Sequence, residues 1–118
     1  MTSSLSATPE WTTTARDGPV LTGLLLRYAA VLVMEGVSRP STVGEIVAAI
    51  ERLGVRVPER KGKWVSDALR CEQRKGRVVR VGRNRYIGGR PLPERTRRRA
   101  RRALAEARRT GLGDRRLW

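Results

Sequence analysis

The spacing of apolar residues changes at Gly76 from a helical period to an alternating one, and this change restricts the chain to a mixed fold. Before Gly76, apolar residues recur every three or four positions in three separate stretches. After it, apolar and polar residues alternate. A period near 3.6 indicates an amphipathic helix and a period of two indicates a strand. We therefore predict a mostly α, α+β fold with three helices, a C-terminal β-hairpin and a further Arg-rich helix.

The first two predicted helices carry start and stop signals. Helix one follows Pro19, has an apolar stripe from Leu21 to Val33, and stops at Gly36. Helix two begins at Thr42-Val-Gly-Glu45, a capping box in which the Thr hydroxyl and the Glu carboxylate satisfy free backbone amides. Gly54 closes it. Its expected apolar stripe consists of Val43, Ile46, Val47, Ile50 and Leu53.

The third predicted helix begins between Pro58 and Lys63 and runs to Lys75. An extended connector over residues 55–58 precedes it, because a residue before proline is pushed out of the helical region. Its apolar stripe is expected to pass through Trp64 and Cys71. The expected inward set is Trp64, Val65, Ala68, Leu69 and Cys71. The expected outward set is Lys63, Ser66, Asp67, Arg70 and Arg74.

The hairpin is predicted from two short strands around a basic tip. Residues 77–81 and 86–87 flank Gly82-Arg-Asn-Arg85. Either a two-residue or a four-residue loop places Val81 opposite Tyr86, which is a favourable pair of a β-branched and an aromatic side chain.

An Arg-rich helix is predicted from Glu94 to Thr110, a stretch without Pro or Gly. Its apolar face consists of Ala100, Ala103, Leu104 and Ala107. Because this face is thin, we expect the helix to fold on docking. The chain accordingly divides into a disordered leader (1–18), a folded domain (19–90) and a C-terminal helix or tail (91–118).

The net charge of +15 lies entirely in the second half of the chain. Residues 1–60 carry six basic and six acidic residues, whereas residues 61–118 carry twenty Lys or Arg against five Asp or Glu. Such asymmetry indicates a polyanionic partner, usually nucleic acid.

The order of elements resembles the winged helix-turn-helix family of DNA-binding domains. The resemblance covers residues 19–89 and is carried by Val65-Ser-Asp-Ala-Leu-Arg70 followed by the run from Gly76 to Tyr86. It implies that helix three is a recognition helix in the major groove of double-stranded DNA and that the hairpin is a wing beside the phosphates.

The residues expected to contact nucleic acid fall on three elements. Helix three contributes Lys61, Lys63, Ser66, Asp67, Arg70 and Arg74. The wing tip contributes Arg83, Asn84 and Arg85. The C-terminal helix contributes phosphate contacts from Arg95, Arg97, Arg98, Arg99, Arg101, Arg102, Arg108 and Arg109. Alternatively, Arg70 and Arg74 pair with Asp67 and Glu72 along a solvated helix face.

The sequence lacks the residues that several classes of function require. The chain has no His, no glycine-rich phosphate loop and no close pair of carboxylates, so we expect neither an enzyme nor a metal or other cofactor. The apolar run from Val20 to Val33 is too short to span a bilayer, which argues against a membrane partner. Cys71 is the only cysteine, so a reducing compartment, the cytoplasm and its nucleoid, is expected.

Several interpretations remain open. A DNA-binding protein of this kind is either a transcriptional regulator or a nucleoid-associated protein that coats DNA. Structured RNA, for instance in the ribosome, is an alternative partner. A protein-interaction module within a larger complex, or a homodimer formed through helix one, is a third interpretation, because helix one is more apolar than a small core requires.

Overall fold

The computed structural model describes residues 18–111, which are mostly helical with a small antiparallel sheet. The described elements are α1 (Gly23–Met34), α2 (Val43–Glu51), α3 (Lys61–Arg74), β1 (Val78–Gly82), β2 (Arg85–Gly88) and α4 (Glu94–Thr110). The α+β, mostly α class is therefore confirmed. Apart from Gly18, the predicted leader lies outside the described residues, as does the tail after residue 111.

Helix α1 begins at Gly23, four residues after Pro19, where the helical pattern was predicted to begin. Before it, Val20 forms a parallel bridge with Arg56. The Leu21 amide donates to the Arg56 carbonyl at 2.9 Å, and the Arg56 amide donates to the Pro19 carbonyl at 2.8 Å. The start predicted after Pro19 is wrong because this backbone pairs with the connector between α2 and α3. The extended conformation predicted for that connector is confirmed.

The capping box at the start of α2 is confirmed. The Glu45 amide donates to the Thr42 hydroxyl at 3.1 Å, and the Thr42 amide donates to the Glu45 carboxylate at 2.9 Å. Beyond the helix, Gly54 adopts a φ of 91°, a left-handed conformation that favours glycine. Both ends of α2 are therefore set by local chemistry.

Helix α1 is the centre of the fold, because α2, α3 and α4 all pack against it. Its residues Leu25, Leu26, Ala29 and Ala30 have at most 1% of their surface exposed. Ala100 and Leu104 of α4 belong to the same apolar core. The thin apolar face of α4 is thus packed within the described fold, and the surplus apolar residues of α1 have an intramolecular partner.

Glu72 is buried in the core, which corrects the predicted facing of α3. Its carboxylate accepts from Arg27 Nε at 2.8 Å and from Arg77 Nη1 at 3.0 Å. The inward set is Val65, Ala68, Leu69 and Glu72, whereas Trp64 is 39% exposed and Cys71 is half-buried. The prediction that the stripe passes through Trp64 and Cys71 is wrong because the two arginines make a carboxylate acceptable inside the core.

The hairpin has a different register from the predicted one. Val79 pairs with Ile87 and Arg80 with Tyr86, but Gly82 pairs with Arg85, so Val81 is an extra residue in a β-bulge. The predicted pair of Val81 with Tyr86 is therefore wrong. The alternating sequence pattern does not reveal a bulge of this kind, because the bulge changes which residues of β1 and β2 pair without changing the spacing of apolar residues along the chain.

The hairpin is fixed to the helices by backbone contacts. Ser41 and Tyr86 exchange hydrogen bonds of 2.8 and 2.9 Å, so the segment between α1 and α2 extends the small sheet. Gly88 lies so close to the Met34 carbonyl oxygen that a β-carbon would collide with it. The position of the hairpin relative to α1 and α2 is thus sterically defined.

Candidate nucleic-acid interface

The outward face of α3 is cationic along its whole length. Lys63, Arg70 and Arg74 are exposed, and their spacings of seven and four residues, about two turns and one turn, place them on one side of the helix. Ser66 and Asp67 are half-buried beside them. Since the opposite side of α3 packs into the core, these residues point to solvent as the sequence predicted. Their contact with nucleic acid remains a prediction.

Asp67, the only acidic residue on this face, is covered by two of its cations. Its carboxylate lies 3.2 Å from Lys63 Nζ and 3.1 Å from Arg70 Nη1. Exposed ion pairs of this kind are worth only about 0–1 kcal/mol, so both cations can exchange Asp67 for a phosphate at small cost. The alternative of a self-paired helix is confirmed for Arg70. Arg74 has no ion pair with a described residue, because Glu72 faces the core.

Positive charge is concentrated at the start of α3, the end at which the helix dipole disfavours cations. No side chain caps this end and the first turn contains no acidic residue, whereas Lys61 and Lys63 both lie there. Arg60 adopts φ 66° and ψ 48°, a left-handed conformation that costs an L-residue about 1–2 kcal/mol. The helix dipole is positive at this end, so an anion would be stabilised there. Lys61 also contacts Glu51 at 2.8 Å, which fixes the turn between α2 and α3.

The hairpin tip carries two exposed arginines on a fixed turn. Arg83 and Arg85 are both exposed, and Asn84 between them has a φ of 57°. The Asn84 side-chain oxygen accepts from the Val43 amide at 3.3 Å. Asn84, which the sequence placed among the nucleic-acid contacts, therefore helps to hold the tip against the start of α2.

Helix α4 presents most of its predicted phosphate contacts to solvent. Exposed are Arg95, Arg98, Arg99, Arg101, Arg102, Arg108 and Arg109. Arg98 contacts Glu94 at 3.3 Å, and Arg109 contacts Glu106 at 2.6 Å. Only these two acids lie within the helix, so most of its positive charge is uncompensated by α4 itself.

Two of the predicted α4 residues anchor the helix to the fold. Arg97 is half-buried, and its Nε lies 3.4 Å from a Glu35 carboxylate oxygen just after α1, close enough for an ion pair but not aligned for a hydrogen bond. Arg108 donates to the Leu53 carbonyl at 2.9 Å, just after α2. Arg97 and Arg108 therefore fix α4 at its two ends.

The sequence reasoning missed a third cationic region. A groove of about 830 Å³ lies between the end of α1 and the solvent side of α2, with Arg39, Arg52 and Arg85 among its lining residues. Arg52 follows Glu45 and Ala48 on the exposed face of α2. The signal was present in the spacing of residues 45, 48 and 52, which places them on one helical face opposite the apolar stripe.

The described residues contain no group of three or more His, Cys, Asp or Glu side chains arranged to hold a metal ion. Within the same residues, no helix combines the length and apolar character needed to cross a membrane. Comparisons with protein-family models, with curated proteins and with solved structures found no match. Function is therefore inferred from the residues and their geometry.

Proposed function

We propose that this protein is a non-enzymatic, double-stranded DNA-binding protein of the winged helix-turn-helix type. The observation that carries the proposal is the outward face of α3. Its cations Lys63, Arg70 and Arg74 stand opposite a buried face, on a 14-residue helix that follows α2 and a short turn. A helix exposed on one side fits the major groove, which is about 12 Å wide.

The connectivity of the other elements supports the proposal. A helix, an extended segment at Ser41, two further helices and a hairpin follow one another, and the extended segment pairs with β2. In the winged helix-turn-helix family, the hairpin after the recognition helix is the wing. On this proposal, Arg83 and Arg85 at its tip contact phosphates, whereas Arg70 and Ser66 on α3 contact base edges.

Salt dependence of duplex binding tests the electrostatic part of the proposal. If six to ten phosphates are contacted, affinity falls by about 10³- to 10⁵-fold between 50 and 200 mM salt. The triple variant Lys63→Ala/Arg70→Ala/Arg74→Ala should reduce the slope of log K against log salt by about 2, one for each of Lys63 and Arg74, because Arg70 is assigned to a base edge. Gln73→Ala, an exposed uncharged change on the same helix, should leave the slope unchanged. No duplex binding at low salt, or an unchanged slope in the triple variant, would contradict the proposal.

Selection from random duplexes separates a transcriptional regulator from a nucleoid-associated protein. An enriched motif that Arg70→Ala weakens supports a regulator, because Arg reads guanine through bidentate hydrogen bonds worth about 1–3 kcal/mol. Binding without an enriched motif supports a nucleoid-associated protein. In the same assay, structured RNA that displaces the duplex at equal concentration would replace DNA with RNA as the partner.

A further inference from the structure

Helix α4 carries a second cationic surface that is rigidly attached to the fold. Ala100 is fully buried against the core and Leu104 is 6% exposed. Arg97 at the start of the helix and Arg108 near its end reach Glu35 and Leu53, which follow α1 and α2 respectively. With its apolar face packed and both ends tied, α4 cannot turn its arginines toward α3 without breaking these contacts.

The outer surface of α4 carries a row of four exposed arginines, two of which pair with Glu94 and Glu106. Arg95, Arg98, Arg102 and Arg109 are exposed and lie opposite Ala100 and its neighbours on the helix. The row spans about 21 Å at 1.5 Å per residue, which corresponds to about six base pairs of duplex at 3.4 Å each. Its residues are therefore spaced to follow a phosphate backbone.

Helices α3 and α4 carry their cationic residues on two separate faces. Each helix packs on α1 and turns its buried residues to the core, so each cationic face points to solvent. Helix α3 also packs on α2, whereas α4 packs mainly on α1. The two faces are therefore separate surfaces, each able to bind a duplex of its own.

We propose that the protein bridges two DNA segments, with α3 and the hairpin on one duplex and the arginine row of α4 on the other. This inference rests on the proposed DNA-binding function and adds a second binding site to it. The cations of the second site are all arginines on an exposed helix face, and Arg98 and Arg109 can exchange Glu94 and Glu106 for phosphates, so the site has no sequence preference. The two sites together give the protein the capacity to join distant DNA segments.

Capture of a second duplex tests the proposal. A bead-bound duplex is incubated with the protein and a labelled free duplex, and the retained label is measured alongside binding of the single duplex by fluorescence anisotropy. The wild-type protein should retain the label. Retention should rise with protein concentration, reach a maximum and then fall when protein is in excess. Each duplex then binds its own protein molecules, and few molecules join two duplexes.

The variant Arg95→Glu/Arg102→Glu reverses two charges in the row and should reduce retention at least about tenfold, while the affinity of α3 for the single duplex falls far less. Glu94→Gln/Glu106→Gln changes the same helix face but leaves every arginine of the row in place, and should retain bridging. The milder Arg95→Gln/Arg102→Gln variant should show an intermediate loss, which guards against misfolding of the first variant. Circular dichroism checks that each variant is folded.

The outcomes separate the two proposals. Absence of single-duplex binding overturns the DNA-binding function and the bridge with it. Single-duplex binding without retention by the wild-type protein overturns the bridge alone. Full retention by Arg95→Glu/Arg102→Glu also overturns it, because bridging would then come from two copies of the chain.

Discussion

Glu72 is a carboxylate among apolar side chains, and its two arginine partners explain why the fold accepts it. Its side chain is fully buried, whereas those of Arg27 and Arg77 keep 25% and 18% of their surface exposed. The Arg77 guanidinium also lies 5.9 Å from the centre of the Tyr28 ring, within range of a cation–π contact. One carboxylate thus connects α1, α3 and the residue just before β1.

Replacing Glu72 should destabilise the protein more than replacing any exposed acid of α3. Glu72→Ala removes the partner of two partly buried cations, and broken buried pairs cost about 3–5 kcal/mol. We expect about 3 kcal/mol, since both arginines retain some contact with water. Urea unfolding measures the change. Asp67→Ala is the matched control, because it also removes two ion pairs from α3 but at the surface, and should cost about 1 kcal/mol or less. Equal losses in the two variants would contradict the role of Glu72.

At this scale, the sequence predicts local contacts and misses distant ones. Thr42 and Glu45 are three residues apart, so their capping box follows from the sequence alone. Arg27 lies 45 residues from Glu72, and no local pattern relates them. The carboxylate of Glu72 therefore suggested that the buried face of α3 lay elsewhere. In the fold, Arg27 and Arg77 are the partners that allow Glu72 to be buried.

Among the elements, α4 differs most from its prediction. It was expected to fold on docking, and the surface on which it docks is α1 of the same chain. Leu104 is the largest apolar side chain that α4 buries against the core. The apolar face is narrow, but Ala residues allow a close approach of the two helices, so little side-chain volume is needed.

Leu104→Ala should therefore cost about 2–5 kcal/mol, the usual range for a buried leucine in a packed core. Hydrogen exchange should show loss of protection in α4 amides first, because α4 packs on one helix whereas α2 and α3 also pack on each other. Ala105→Ser, on the exposed side of the same turn, should change the stability by less than about 0.5 kcal/mol. An unaffected unfolding midpoint in Leu104→Ala would mean that α4 is not part of the cooperative fold.

The bounds of a helix or strand were predictable where the neighbouring residues in the sequence alone set them. Helix α4 runs from Glu94 to Thr110 as predicted, because Pro93 and Gly111 mark its ends. The start of α1 and the register of the hairpin were not predictable. Val20 pairs with a segment more than thirty residues away, and the bulge at Val81 depends on how the tip docks on α2.

For the whole molecule, charge should affect folding and binding in opposite directions. The net charge of +15 favours expansion through self-repulsion. Raising the salt concentration from about 10 to about 200 mM shortens the Debye length from about 30 Å to below 10 Å and screens this repulsion. We expect Tm to rise over this range while duplex affinity falls. A stabilisation of about 1 kcal/mol corresponds to about 4–8 °C for a domain of this size.

Thermal melts by circular dichroism at the two salt concentrations measure this change. Added duplex DNA should also raise Tm at low salt, since a ligand of the folded state stabilises it. A fall in Tm with salt would show that the ion pairs outweigh the repulsion.

The candidate site was predictable in part at this scale. Charge asymmetry and helical spacing placed Lys63, Arg70 and Arg74 on one exposed face. They could not show that Arg97 and Arg108 hold α4 in place, because both contacts join residues far apart in the chain. The arrangement of two cationic faces about α1 likewise depends on packing, which residue spacing does not encode.

The packing of α4 on α1 also determines when the protein can finish folding during its synthesis. Helix α1 leaves the ribosome long before α4, and the residues between Met34 and Thr110 take about 4–15 s to translate at 5–20 residues per second. During that interval α2 and α3 can assemble on one side of α1, but its other side is still uncovered. The nascent chain therefore passes through a state with an exposed apolar helix, in which a chaperone or a neighbouring chain can bind the site that α4 later fills.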